Sequence, residues 1–278
     1  MTHPLPAPPS PILSPPASPP PAPPPPAPPT AAPRREVLGT PVDALTMAGA
    51  VAACVRAVTA GGYLPVGMLN AAKFVAMRGD VRLARAVAEC GMVLADGQSV
   101  VWASRLLGAP LPERVAGIDL FTELLAESAR RSFRVYFLGA RAGVLDRMLA
   151  EAGRRHPRLI VAGARDGYFT AGQEPQIAAQ IRASAAQLLF LGMTSPKKEL
   201  FISRWGRATG ANVVHGVGGS FDVLAGVTRR APRWCQDAGL EWLYRAWQEP
   251  RRLGPRYAST NAAFLALVAR ELLRGAHR

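Results

Sequence analysis

The feature that most restricts the fold is a regular alternation of short, almost unbroken apolar runs with amphipathic stretches. The runs are LPVGMLN (64–70), MVLAD (92–96), FRVYFLGA (133–140), RLIVAG (158–163), AQLLFLGM (186–193) and ANVVHGVGG (211–219). Between them lie segments with helical spacing: AAKFVAM after Asn70, DVRLARAVAECG (80–91), GQSVVWASRLLG (97–108), residues 118–131 and 141–155, EPQIAAQIRASA and PKKELFISRWGRA. Strands that are apolar at every position are buried on both faces, which is the condition of a parallel sheet covered by crossover helices. The expected fold class is therefore α/β, a mostly parallel sheet with helices on both faces. In such sheets ligands bind outside the carboxyl ends of the strands. Those ends carry Asn70, Asp96, Gly139, Gly192 and the run Gly216–Gly219, so small and polar residues gather at the expected ligand edge. Glycines there also make the turns that any βα unit needs.

The flanks read differently. Residues 1–33 are about half proline and carry no charged side chain apart from His3. Such a stretch cannot bury a core and reads as a disordered, polyproline-II-like tail. Residues 34–225 form the α/β core. Residues 226–278 read as a C-terminal helical appendage, with helices over 231–248 and about 257–274. No apolar run reaches the ~20 residues of a membrane-spanning helix. The first residues lack the basic and apolar regions of a signal peptide. Three distant cysteines, Cys54, Cys90 and Cys235, match no metal spacing and read as reduced thiols.

The formal net charge of +14 is almost entirely arginine, since Lys73, Lys197 and Lys198 are the only lysines. It favours an anionic partner: nucleic acid, an anionic membrane or a phosphorylated substrate. Nucleic acid is disfavoured, because no motif for it is present and the basic aromatic cluster is confined to the last segment. That cluster, EWLYRAWQEPRRLGPRY (241–257), interleaves Trp242, Tyr244, Trp247 and Tyr257 with Arg245, Arg251, Arg252 and Arg256. Amphipathic aromatics beside arginines suit a membrane interface; an ordinary packed helix with a salt-bridged face is the plainer alternative.

Several chemistries lose support. HGVGGSFD (215–222) and LGARAG (138–143) are not GxGxxG, and there is no GxxxxGK[ST]. Glycine-lined amides such as those of Gly139, Gly218 and Gly219 can still receive a diphosphate. There is no HExxH, Cys/His cluster or Asp-x-Asp, so no metal site is expected and no cofactor is implied. His215 reads as a packed, hydrogen-bonded histidine. Asp166 reads as a turn residue. Lys197 and Lys198 open a helix beside a strand end, where cations oppose the helix dipole and an anion would be welcome. Asp96 and Asp222 are the carboxylates best placed at the edge. Asp96 is either a catalytic group or the N-cap of the helix starting near Gln98.

LNAAKFV, LADGQSVV, LPERVAGIDL, VYFLGA, GYF, SPKKE, GVGGSFDVLAG, RRAPRW and GLEWLYRAWQEPRRL, in this order from about Gly39 to Tyr257, resemble the WecG/TagA/CpsF family of bacterial glycosyltransferases. The resemblance implies a Rossmann-like core and an inverting, metal-independent transfer. The sugar passes from a UDP-sugar to a polyprenyl-diphosphate-linked sugar during cell-surface polysaccharide synthesis. It also implies a cytoplasmic enzyme, peripheral on the inner face of the cell membrane and in contact with its anionic surface. On the same basis Asp96 is the general base, Asn70 and Asp222 line the donor pocket, and Tyr168 contacts the nucleotide. Arg245 and Arg252, with Arg256 beside the position that Pro255 occupies, lie near the acceptor diphosphate. Met68 replaces a usual threonine and Lys198 a usual glutamine, both at the supposed sugar pocket. The donor sugar is accordingly N-acetylmannosamine, or glucose or mannose. The competing expectation is a catalytically inactive, membrane-peripheral scaffold of the same fold. Assembly into a homo-oligomer is left open.

Overall fold

A computed structural model describes residues 32–248 and 250–275. Of Arg245, Arg252, Pro255 and Arg256 it describes the backbone path alone, so the roles expected for these arginine side chains, like the structure of residues 1–31, lie outside the described residues. The chain opens with an antiparallel hairpin of β1 (Arg34–Val37) and β2 (Thr40–Asp43), followed by α1 (Met47–Thr59). Then come β3 (Leu64–Leu69), α2 (Ala71–Gly79), α3 (Val81–Ala88), β4 (Met92–Ala95), α4 (Gln98–Leu106) and α5 (Gly117–Arg131). Next are β5 (Arg134–Gly139), α6 (Ala142–Arg155), β6 (Ile160–Arg165), α7 (Glu174–Ala183), β7 (Leu188–Gly192) and α8 (Lys197–Trp205). The last strand is β8 (Val213–Gly216), followed by α9 (Ser220–Leu224), α10 (Arg233–Asp237), α11 (Glu241–Gln248) and α12 (Pro250–Gly275).

Six strands form one parallel sheet in the order β4-β3-β8-β7-β5-β6. Successive residues point to opposite faces, and both faces are covered. Val66, Met68, Leu94, Phe137, Phe190 and Val213 pack with α1, α5 and α6 on one side. On the other, Leu69, Val93 and Ala95 pack with α2, α3 and α4, and Leu138, Leu189, Leu191 and Val214 with α7 and α8. The fold is the expected Rossmann-like α/β sandwich. From β3 the chain steps outward to β4, then crosses to β5 on the far side of β8 and β7. That reversal opens a crevice at the carboxyl ends near β3 and β8, the position at which doubly wound sheets hold ligands.

Two details differ from the sequence reading. The β1–β2 hairpin was not anticipated, because its exposed, charged residues show no apolar alternation. It is fixed by Asp43, which is buried and accepts from the Val93 amide (2.7 Å) and Arg34 Nε (3.1 Å). The C-terminal helices are three, not two: the stretch expected as one helix over 231–248 is broken at Gly239, whose φ is +68°. α12 also starts earlier than 257, because proline at its first position suits the start of a helix. Its second half returns to the core, where Phe264 and Val268 are buried beside Phe74 of α2.

Candidate active site

Asn70 and Asp96 end neighbouring strands, so the parallel register of β3 and β4 brings them together. Asn70 caps α2: its Oδ1 accepts from the Lys73 amide (3.0 Å). Its Nδ2 donates to Asp96 Oδ2 at 3.4 Å, while Asp96 Oδ1 accepts from the Gly117 amide at 2.8 Å. Asp96 therefore does not cap the helix at Gln98. The N-cap of α4 is Gly97, with no side-chain bond. Asp96 reaches instead to the first amide of α5, a helix it precedes by 21 residues and whose positive end favours its carboxylate. It remains half-buried, with a side open to the edge.

Gly117 is held from its other end by His215. The carbonyl can only accept, so the imidazole Nε2 carries the proton in this 3.2 Å contact. His215 is fully buried, and Nδ1 has no hydrogen-bond partner among the described residues. Burial holds its pKa down at about 4, although the Gly117 carbonyl pulls the other way. Met68 lies under the same residue: a Cβ on Gly117 would sit 3.5 Å from Met68 Cε. It is buried in the core rather than open to the edge.

Lys198, at the start of α8, does not lie in solvent. It is buried, with its stem against Gly216, and Nζ donates to Glu199 Oε1 (2.8 Å). Lys73 Nζ donates to the same oxygen at 2.5 Å. Burial and the neighbouring Lys73 ammonium push Lys198 down to about 8, against the pull of Glu199 and Asp96. Burial alone would raise Glu199, but the two ammonium groups outweigh it and hold it at about 2. Lys73 thus joins Asn70, through its amide, to an ion triad on α8. This link was not read from the sequence because Lys73 and Glu199 are 126 residues apart.

The other edge residues fall farther along the sheet. Gly139 has φ +145°, and a Cβ there would meet Gly192 backbone at 2.5 Å, so glycine is needed for the close approach of β5 and β7. Gly218, at φ +55°, and Gly219 turn the chain from β8 into α9; a Cβ would lie 3.9 Å from the Met193 carbonyl oxygen at the first and 4.0 Å from Asp222 Oδ2 at the second. Asp222, on α9, is half-buried and its carboxylate has no hydrogen-bond partner among the described residues. Tyr168 is 71% exposed and accepts from Arg141 Nε (3.2 Å). Asp166 makes the expected turn, accepting from the Tyr168 amide at 2.8 Å. The structure brings Asn70, Asp96 and the Lys198 triad together on one side of the crevice, and Gly139, Tyr168 and Asp222 on the other.

The C-terminal segment is tied to this place. Arg230 forms a bidentate pair with Asp119 in the first turn of α5 (2.5 and 2.7 Å). Arg114, in the loop that leads to Gly117 at the start of α5, pairs with Glu241 of α11 (3.0 Å).

A doubly wound sheet with a held, half-buried carboxylate at its switch point and buried cations beside it defines an α/β protein with polar and charged groups gathered at the edge where such sheets bind small ligands. The sequence narrows the class. The profile of the glycosyl transferase WecG/TagA/CpsF family matches residues 35–278, and the chain belongs to that family. It is 36% identical over 179 residues to an N-acetylglucosaminyldiphosphoundecaprenol N-acetyl-beta-D-mannosaminyltransferase of Bacillus spizizenii, an alignment covering 64% of this chain and 68% of the other. The protein is a glycosyltransferase.

Proposed function

We propose that this glycosyltransferase moves a sugar from a UDP-sugar to a hydroxyl of a polyprenyl-diphosphate-linked sugar, with inversion and without a required metal, in cell-surface polysaccharide synthesis. The observation that carries the reading is the Asp96 carboxylate, held by the Gly117 amide and the Asn70 side chain with one side open to the edge. Asp96 takes the proton of the acceptor hydroxyl as that oxygen attacks the anomeric carbon. The bond from this carbon to the diphosphate oxygen breaks, and its electron pair leaves on UDP. Attack opposite the leaving group inverts the anomeric centre. A single well-placed base contributes ~10²–10⁴-fold. Lys198, and in the appendage Arg245, Arg252 and Arg256, supply positive charge for the diphosphates. The Bacillus spizizenii relative is named for N-acetylmannosamine transfer, which makes that sugar the first donor to test. Glucose and mannose follow, since Lys198 stands where the family usually has glutamine and Met68 packs beneath Gly117.

The test is UDP release by the purified protein from a panel of UDP-sugars, with a short-chain lipid-diphosphate N-acetylglucosamine as acceptor and with or without EDTA. Turnover with one donor, little affected by EDTA, is expected. Asp96→Asn should lower it ~10²–10⁴-fold. Its stability should change by no more than about 1–2 kcal/mol, because the asparagine oxygen still accepts from Gly117. Unchanged turnover would leave Asp96 a structural cap; no turnover with any donor would favour the inactive scaffold.

A further inference from the structure

Arg141 is exposed and stands directly after the Gly139–Ala140 turn that ends β5, at the carboxyl edge of the sheet. Its Nε donates to the Tyr168 hydroxyl (3.2 Å), and its Cζ lies 6.0 Å from the Tyr168 ring centroid. The loop bearing Tyr168 is braced on both sides. Asp166 accepts from the Tyr168 amide, and Lys197 Nζ donates to the carbonyls of Gly167 (2.8 Å) and Phe169 (3.1 Å) while lying 3.8 Å over the Phe169 ring. The guanidinium is therefore oriented by a neutral phenol. An acid would have oriented it and cancelled its charge as well. That is the arrangement of other surface arginines here: Arg130 and Arg131 share Glu127, and Arg154 and Arg155 share Glu151. Both terminal nitrogens of Arg141 lack a partner among the described residues. Asp222 lies within electrostatic reach but forms no ion pair with it.

A fixed guanidinium with two free parallel donors fits a phosphate, whereas a free carboxylate such as Asp222 fits a sugar hydroxyl and repels a phosphate. We propose that Arg141 binds the diphosphate of the nucleotide donor, with Tyr168 as its brace. The inference rests on the UDP-sugar reading above.

Calorimetric titration of the full chain with UDP, UMP and uridine tests it. The wild-type protein should bind UDP more tightly than uridine. Arg141→Gln should weaken UDP roughly tenfold or more, the size of a lost charged hydrogen bond, and leave uridine within twofold. Arg141→Lys should recover part of the loss. Tyr168→Phe, which removes the brace and keeps the charge, should lose less UDP affinity than Arg141→Gln. Unchanged melting temperatures confirm folding at this exposed site. UDP affinity of Arg141→Gln within twofold of wild type, or an equal loss for uridine, would overturn the assignment while the donor reading stands. Failure of the wild-type protein to bind UDP would overturn both.

Discussion

His215 makes one residue's burial measurable as stability. The native imidazole titrates at about 4, against an ordinary value of 6.5. Between those values the unfolded chain takes up a proton that the native one refuses. Stability is therefore complete above 6.5 and falls as the pH drops towards 4. By linkage the loss at pH 5 is about 2 kcal/mol. His215→Gln keeps a donor for the Gly117 carbonyl and cannot titrate, so urea unfolding at pH 7 and pH 5 should show about 2 kcal/mol less acid sensitivity in the variant. Equal sensitivity would mean that His215 is not held neutral. Lys198 gives the alkaline counterpart. Its ammonium is lost as the pH rises through about 8. The ratio kcat/KM, which reports the free enzyme, should fall on that limb, and Lys198→Gln should flatten it. A limb that persists in the variant belongs to another group. The sequence made Asp96 and Lys198 visible as charged residues beside strand ends. What holds them was not visible, because Gly117 reaches Asp96, and Lys73 reaches the Lys198–Glu199 pair, only through the packing of distant segments.

At the scale of elements, the β and α runs of the core were legible because doubly buried strands leave uninterrupted apolar stretches, and six of these became the sheet. The hairpin was hidden because four-residue strands with charged exposed faces carry no period. The C-terminal helices were harder for another reason. Arginines and apolar residues alternate there so densely that the face meeting the core cannot be picked out without knowing what it meets. In the structure Phe264 packs on Phe74 with ring centroids 5.9 Å apart, while its neighbour Leu265 is 67% exposed. Phe264→Ala should accordingly cost roughly 3 kcal/mol or more in urea unfolding, and Leu265→Ala no more than about 0.5 kcal/mol. A small loss from Phe264 would mean that α12 docks too weakly to count as part of the core.

At the scale of the whole molecule, the proposed acceptor is a lipid, so the protein has to meet a bilayer. No described helix is long and apolar enough to cross one. We propose a peripheral contact, for which the surface supplies the ingredients. Trp234 is 67% exposed and Trp247 75%, with Trp102 of α4 also exposed, on a chain whose net charge is +14. A Cβ on Gly239, in the turn between α10 and α11, would lie 2.9 Å from the Trp102 ring, which joins α4 to that surface. Aromatics at headgroup depth combined with arginines on lipid phosphates are the means by which such surfaces attach. The pairs Arg114–Glu241 and Arg230–Asp119 then couple it to the loop and helix end that hold Asp96, so a lipid-linked sugar would be presented to a fixed base. Changing both Trp234 and Trp247 to serine removes two exposed rings without touching the sheet. Each ring buried at the interface is worth on the order of 1.5 kcal/mol or more, so co-sedimentation with phosphatidylglycerol vesicles should fall at least tenfold. Residual binding should weaken with added salt, and UDP affinity should stay unchanged, because the donor cleft opens at the sheet edge. Undiminished vesicle binding would move the membrane contact to another face, and a parallel loss of UDP affinity would show that these helices support the cleft rather than the lipid.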